Sequence, residues 1–170
     1  MKVTIFKLDP IEINGKVTIS DPCYDPGTWC MAENIDVVPG TYIPLVTVDR
    51  VSHRVTALEI VHYLEYEDDN HTTDYSEPLE ADIGVDSGQA GFYDSDYFIE
   101  HSIHVGKGTH DDWYGDICQL TTMALADELY GAGTLDDKCV VSQSGWGYGG
   151  YTCWVSRNEE NKIYALKLFY

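Results

Sequence analysis

The chain has 170 residues, long enough to bury a core and too short for two standard domains, so residues 1–170 are expected to fold as a single unit. Ten Lys plus Arg stand against 29 Asp plus Glu, for a formal net charge of −19. Such a surface repels phosphate backbones and anionic lipid, which excludes direct nucleic-acid binding and membrane docking through a basic face. An apolar share of 44%, with 13 Tyr and 4 Trp, is too high for a charge-expanded disordered chain, so the acidity belongs to a folded body.

Met1 to Leu8 is a short alternating run without the make-up of a signal segment, and no apolar stretch approaches the ~20 residues that cross a bilayer, so the expected compartment is the cytoplasm. Asn14-Gly15 lies between Ile11-Glu12-Ile13 and Val17-Thr18-Ile19; both turn positions tolerate positive φ, and the pattern predicts a tight hairpin. Asp21-Pro22-Cys23-Tyr24-Asp25-Pro26-Gly27 forbids regular structure, and Pro39-Gly40 turns the chain into a strand over Tyr42 to Val48. From Arg54 to Tyr66, Leu58, Ile60, His62, Leu64 and Tyr66 share one face and Glu59, Tyr63, Glu65 and Glu67 the other, which predicts a period-two strand with a solvated side.

Glu67 to Glu80, with Asp68, Asp69, Asn70, His71, Asp74 and Glu77, reads as an acidic loop closing at Pro78; it lacks the central Gly of a calcium loop. His101-Ser102-Ile103-His104, followed by His110, Asp111 and Asp112, is the one metal-like cluster; if Tyr97 to Val105 is a strand, His101 and His104 point to opposite faces, and convergence on a metal fails unless the segment is helical or looped. Trp113, Ile117, Leu120, Ala124 and Leu125 recur at helical spacing and predict one principal helix over about 111–130, with Thr109 or Asp111 as cap and Gly131 as terminator. Strands return at Cys139 to Val141, Tyr151 to Ser156 and Ile163 to Phe169. The expected class is α+β: a largely antiparallel β-sheet assembly with that helix packed on it.

Three glycine-bearing loops join these strands: Ile19 to Tyr24, Gly84 to Gly91 and Ser142 to Tyr151. Glycine lets backbone approach a ligand, and Ser144, Trp146 and Tyr148 offer a hydroxyl, an indole N–H and a stacking face; the plainer reading is sharp inter-strand turns. Asp21 and Asp86 have the character of paired carboxylates for acid and base work, but Asp before Pro or before Ser-Gly also caps turns. Cys23 with His62 or His104 lacks a recognised nucleophile signature, and Ser20, Ser87 and Ser144 lack the nucleophile elbow. The Gly-rich segments have no Walker lysine or dinucleotide fingerprint, so no cofactor is expected. The five cysteines Cys23, Cys30, Cys118, Cys139 and Cys153 are odd in number and scattered, which favours reduced thiols over bridges and over a zinc site.

Ser20-Asp21-Pro22, Pro39-Gly40-Thr41-Tyr42, Val85-Asp86-Ser87-Gly88-Gln89-Ala90-Gly91 with Asp94 after it, and Ser144-Gly145-Trp146-Gly147-Tyr148-Gly149-Gly150-Tyr151 follow one another in an order and spacing that resembles the uncharacterised family called domain of unknown function 4241. The likeness runs over roughly Ile19 to Phe169. It departs at Tyr148, where that family often carries Asp, and at Leu168-Phe169, where its terminal strand commonly ends in Asp-Phe. The resemblance implies a small soluble bacterial or bacteriophage protein and brings no established reaction.

The function expected from these observations is a non-catalytic interaction protein whose carboxylates engage a basic protein surface, as an acidic inhibitor or nucleic-acid mimic. The alternative is a small-molecule sequestering protein or a hydrolase-like enzyme with a pocket made by the three loops. Candidate binding residues are Asp21, Tyr24, Asp86, Ser87, Gln89, Ser144, Trp146 and Tyr148, together with Asp68, Asp69 and Asp74; no catalytic or metal-ligating residue is assigned.

Overall fold

The computed structural model describes residues 2–68, 72–102, 111–122 and 131–170. Runs rich in β-branched and aromatic residues form the strands β1 (Val3–Lys7), β2 (Ile11–Ile13), β3 (Lys16–Ser20), β4 (Ala32–Asp36), β5 (Gly40–Asp49), β6 (Arg54–His62), β7 (Glu77–Val85) and β8 (Gln89–Asp94). Two helices follow, α1 (Ser95–Ser102) and α2 (Asp111–Thr122), and the chain returns to β9 (Ala132–Leu135), β10 (Cys139–Gln143), β11 (Gly149–Arg157) and β12 (Ile163–Phe169). One sheet has the order β1-β5-β6-β12-β11-β7, with β2 pairing the same edge of β5 beyond the end of β1. The second has the order β4-β3-β8-β10-β9, and the strand pairs of both sheets are antiparallel.

The main core lies between the sheets. Ile13, Tyr42, Leu58, Ile60, Val155 and Leu166 from the first sheet meet Val17, Ile19, Phe92 and Val140 from the second. Because side chains alternate across a strand, Tyr93 and Val141, next in sequence to Phe92 and Val140, face the other way. There they pack with Tyr97 and Phe98 of α1 and Trp113 and Ile117 of α2. The expected α+β class is therefore the observed one, and it takes the form of two facing sheets with the helices covering the second.

Asp94 joins the layers. Its Oδ1 accepts from the Tyr97 N–H at 3.2 Å, capping α1, and its Oδ2 accepts from the Asn14 N–H at 2.8 Å. The helix expected at 111–130 is present as α2 through Thr122; 123–130 and Thr109 lie outside the described residues.

Several local expectations are corrected. Asn14-Gly15 does turn the chain, with Gly15 at φ +82°, but no hairpin forms: β2 pairs β5 in one sheet while β3 pairs β4 and β8 in the other. The apolar faces of Ile11/Ile13 and Val17/Ile19 are both buried in the same core, and a turn between sheets lets both reach it. Of the two conformations left open for Tyr97 to Val105, the described part is helical, since α1 occupies Ser95–Ser102; His104 and His110 lie outside the described residues. The acidic loop ends earlier than expected, since β7 starts at Glu77 and Pro78 sits opposite Trp154 on an edge strand, where a missing N–H costs no ladder bond. The side of β6 expected to be solvated is covered: Val61 packs with Ile43, Leu45, Tyr66, Tyr75 and Tyr164, and Glu59 is buried, accepting from the Tyr75 hydroxyl with Lys167 Nζ 3.8 Å away. Tyr63–Glu65, placed in the same strand by the sequence, forms one 3₁₀ turn.

Candidate functional site

Sheet register gathers the three glycine-bearing loops at one end of the molecule. Ser20 at the end of β3 is opposite Gly91, Gln89 at the start of β8 is opposite Gln143, and Gly149 at the start of β11 is opposite Val85. The segments 21–24, 86–88 and 144–148 therefore emerge side by side. The Ser144 N–H donates to the Gly88 carbonyl at 2.9 Å, tying the third loop to the second.

Asp21 holds the first two loops together. Fully buried, its carboxylate accepts from the Cys23 N–H at 2.8 Å and the Ser87 hydroxyl at 2.6 Å on Oδ1, and from the N–H groups of Asp86 and Ser87 at 2.8 and 2.7 Å on Oδ2. Four donors use the four lone-pair sites of a carboxylate, leaving none to take a proton from a substrate. Ser87 Oγ in turn accepts from Gln89 Nε2 at 3.2 Å, and Gln89 Oε1 accepts from the Thr121 hydroxyl at 2.7 Å, which links the loops to α2.

Above this network is an open cleft of about 300 Å³ lined by Tyr24, Trp29, Cys30, Asp86, Tyr148 and Gly149. Tyr24 donates its phenol proton to Asp86 Oδ2 at 2.7 Å; partial burial first, and that bond second, push the phenol well above its ordinary range. Trp29 and Tyr148 are 91% and 82% exposed, an arrangement that leaves two large apolar rings in water at the mouth of a carboxylate-bearing cleft.

A family model described as Protein of unknown function (DUF4241) matches residues 14–168. The chain belongs to this family. No curated protein and no solved structure matches it. In this DUF4241 chain, three of the four segments on which the resemblance rests, Asp21-Pro22, Val85 to Gly91 and Ser144 to Tyr151, lie at the loop end that carries the cleft, whereas Pro39 to Tyr42 leads into β5 and Asp94 is the α1 cap described above.

Of the residues proposed from sequence, Asp21, Tyr24, Asp86, Ser87 and Gln89 form one connected cluster, with Ser144 and Tyr148 beside it. Ser144 is buried and donates to the Gly147 carbonyl at 2.7 Å. Trp146 does not join the cleft; its ring lies under the Arg54 guanidinium at 3.8 Å and borders a different groove. Asp68 is paired with Lys7 at 2.9 Å on β1, Asp74 is exposed, and Asp69 lies outside the described residues. Trp29 was not singled out by sequence: it sits in a Pro-Gly turn without periodic partners, and its isolation among turn residues was the available signal. Thr121 was not singled out because helical spacing marks only the apolar face of α2.

Thiol chemistry at Cys23 is disfavoured by its surroundings. Burial first, then Asp21, push the thiol far above its usual range, so it stays protonated at about pH 8, whereas the thiolate is the nucleophile. His62 is not available as its base: Nδ1 accepts from the Leu64 N–H at 3.3 Å, which leaves Nε2 as donor to the Pro39 carbonyl at 3.0 Å. Iodoacetamide is accordingly expected to label Cys23 in the native protein roughly tenfold or more slowly than free cysteine at about pH 8, read by peptide mass spectrometry. A rate matching free cysteine would mean the thiol ionises normally.

Proposed function

We propose that this DUF4241 protein acts by binding, and that the cleft between Tyr24, Trp29, Tyr148 and Asp86 receives a basic side chain from the surface of a partner protein. The observation that carries this reading is the pair of rings, Trp29 and Tyr148, left almost wholly in water beside a carboxylate. Exposed aromatic residues around a concavity are the usual anchors of interfaces. A guanidinium or ammonium is the group that combines attraction to a ring face with attraction to Asp86, whose Oδ2 is held by Tyr24. About 300 Å³ accommodates one such side chain.

The net charge of −19 supports the same reading at longer range, since opposed fields speed encounter with a basic groove and discriminate against acidic partners. In its sharpest form the protein is an acidic inhibitor, its carboxylates taking the place of phosphates on a partner built to hold nucleic acid. No helix among the described residues is long and apolar enough to cross a membrane.

A hexa-arginine peptide is a suitable probe. Any strongly acidic protein attracts it, so the informative readout is the dependence on the cleft. Trp29→Ala and Tyr148→Ala are each expected to weaken binding roughly tenfold or more while leaving thermal stability unchanged, because both rings are exposed. Affinity that falls with salt but is indifferent to both substitutions would reduce the interaction to diffuse charge and overturn the proposal.

A further inference from the structure

A second concavity, of about 370 Å³, lies on the outer face of the first sheet. Its floor is the row Thr47, Ala57 and Phe169, which sit opposite one another across β5, β6 and β12. Trp146 forms one wall, 70% exposed, with the Arg54 guanidinium stacked on it at 3.8 Å. No ion pair ties Arg54 to a carboxylate among the described residues. Lys7 and Lys167 also lie over aromatic rings, and each has a carboxylate partner that Arg54 lacks.

The neighbouring charges narrow what it can hold. Lys167 Nζ lies 3.8 Å from Glu59 Oε2 and 5.0 Å from the Phe169 ring centroid, so its charge is already opposed. The Asp49 carboxylate accepts from the Val51 N–H at 3.0 Å and the Ser52 hydroxyl at 2.8 Å and adds a negative charge at the rim. Arg54, which stands opposite Asp49 across β5 and β6, is therefore the groove's one cation without a carboxylate in ion-pair contact among the described residues. With its Cζ over the indole, the Arg54 guanidinium makes no hydrogen bond among the described residues, so its N–H groups are open to a carboxylate, which a guanidinium matches with two parallel bonds. A polyanion would meet Asp49 and the field of the whole molecule, and a volume near the lower end of ligand pockets admits a single ring or a short branched chain.

We infer that this groove binds a small organic monocarboxylate, its charge on Arg54 and its apolar body between Trp146 and Phe169. The site is separate from the Tyr24 cleft, and either can fail without the other. Benzoate is the probe, with neutral benzamide and cationic benzamidine as controls, titrated into the full ¹⁵N-labelled chain and followed through amide and indole N–H signals. The expected result is saturable benzoate shifts at the Trp146 indole and at Arg54, weakened roughly tenfold or more in Arg54→Gln, with an otherwise unchanged spectrum showing that the variant is folded. Arg54→Lys should recover only part of the affinity, since an ammonium cannot make the paired bonds. Absence of benzoate binding, equal shifts with benzamide, or benzoate affinity unaltered in Arg54→Gln would each overturn the inference.

Discussion

Replacing Asp21 with Ala is expected to destabilise the protein by about 3–5 kcal/mol in urea denaturation, the largest effect of any substitution near the cleft. The buried carboxylate satisfies three backbone N–H groups and the Ser87 hydroxyl, and alanine takes this acceptor from all four at once. Asp21→Asn is the informative companion. It keeps Oδ1 for Cys23 and Ser87 but turns an amide NH₂ toward the N–H groups of Asp86 and Ser87, so a loss of roughly 2 kcal/mol or more is expected without any change in size. Ser87→Ala, which removes a single donor, should cost less than either. A loss under about 1 kcal/mol for Asp21→Ala would show that the loops are held by something else. The same result bears on chemistry: the carboxylate is committed to holding backbone, so its removal should act on folding before it acts on any reaction.

Phe92→Ala should cost about 3–5 kcal/mol, lowering the denaturation midpoint of the whole domain in one transition. Phe92 is on β8, flanked by β3 and β10, and is fully buried in the core shared by both sheets. Close packing on every side gives the surrounding strands little room to collapse into the void. Its neighbour Tyr93 supplies the control. Tyr93 faces the helices, and its hydroxyl reaches the Ser20 carbonyl only at 3.4 Å, so Tyr93→Phe should cost no more than about 1 kcal/mol. A small loss at Phe92, or two separated transitions, would contradict a core continuous between the sheets.

Much of the secondary structure was readable without coordinates, and the failures have a common origin. Ile163 to Phe169 is β12 to the residue, the runs at Tyr42 to Val48 and Cys139 to Val141 lie within β5 and β10, and the spacing of Trp113 and Ile117 marks α2. These signals are local: alternation or helical repetition within one segment. Asn14-Gly15 misled because a turn motif specifies the direction of the chain and is silent about which sheet the next strand joins. Glu59 misled because period-two alternation assumes that a polar residue marks water, whereas Tyr75 and Lys167, distant in sequence, meet its carboxylate under a cover of side chains. From Tyr97 onward the sequence left strand and helix open, and the structure forms a helix capped by Asp94 and held by Phe98 and Tyr97 against Tyr93 and Trp113.

The candidate site divides in the same way. Asp21, Tyr24, Asp86, Ser87 and Gln89 were singled out one loop at a time, by the turn chemistry of Asp-Pro and Asp-Ser-Gly and by the family pattern that runs through them. Sequence could not say that Asp21 is saturated with hydrogen bonds, that Trp29 completes the cleft, or that Trp146 leaves it for Arg54.

What the sequence determined alone was the charge of −19, the α+β class, most strand positions, the family and the loops worth watching. Composition, periodicity and turn chemistry are properties of neighbouring residues, and they survive in a one-dimensional string. Only the tertiary structure decided which sheet each strand enters, which carboxylates are buried, and which aromatic rings remain in water. Those outcomes depend on strand register between segments far apart in the chain: Gly149 opposite Val85 and Ser20 opposite Gly91 bring the three loops to one end, and no local pattern encodes that pairing.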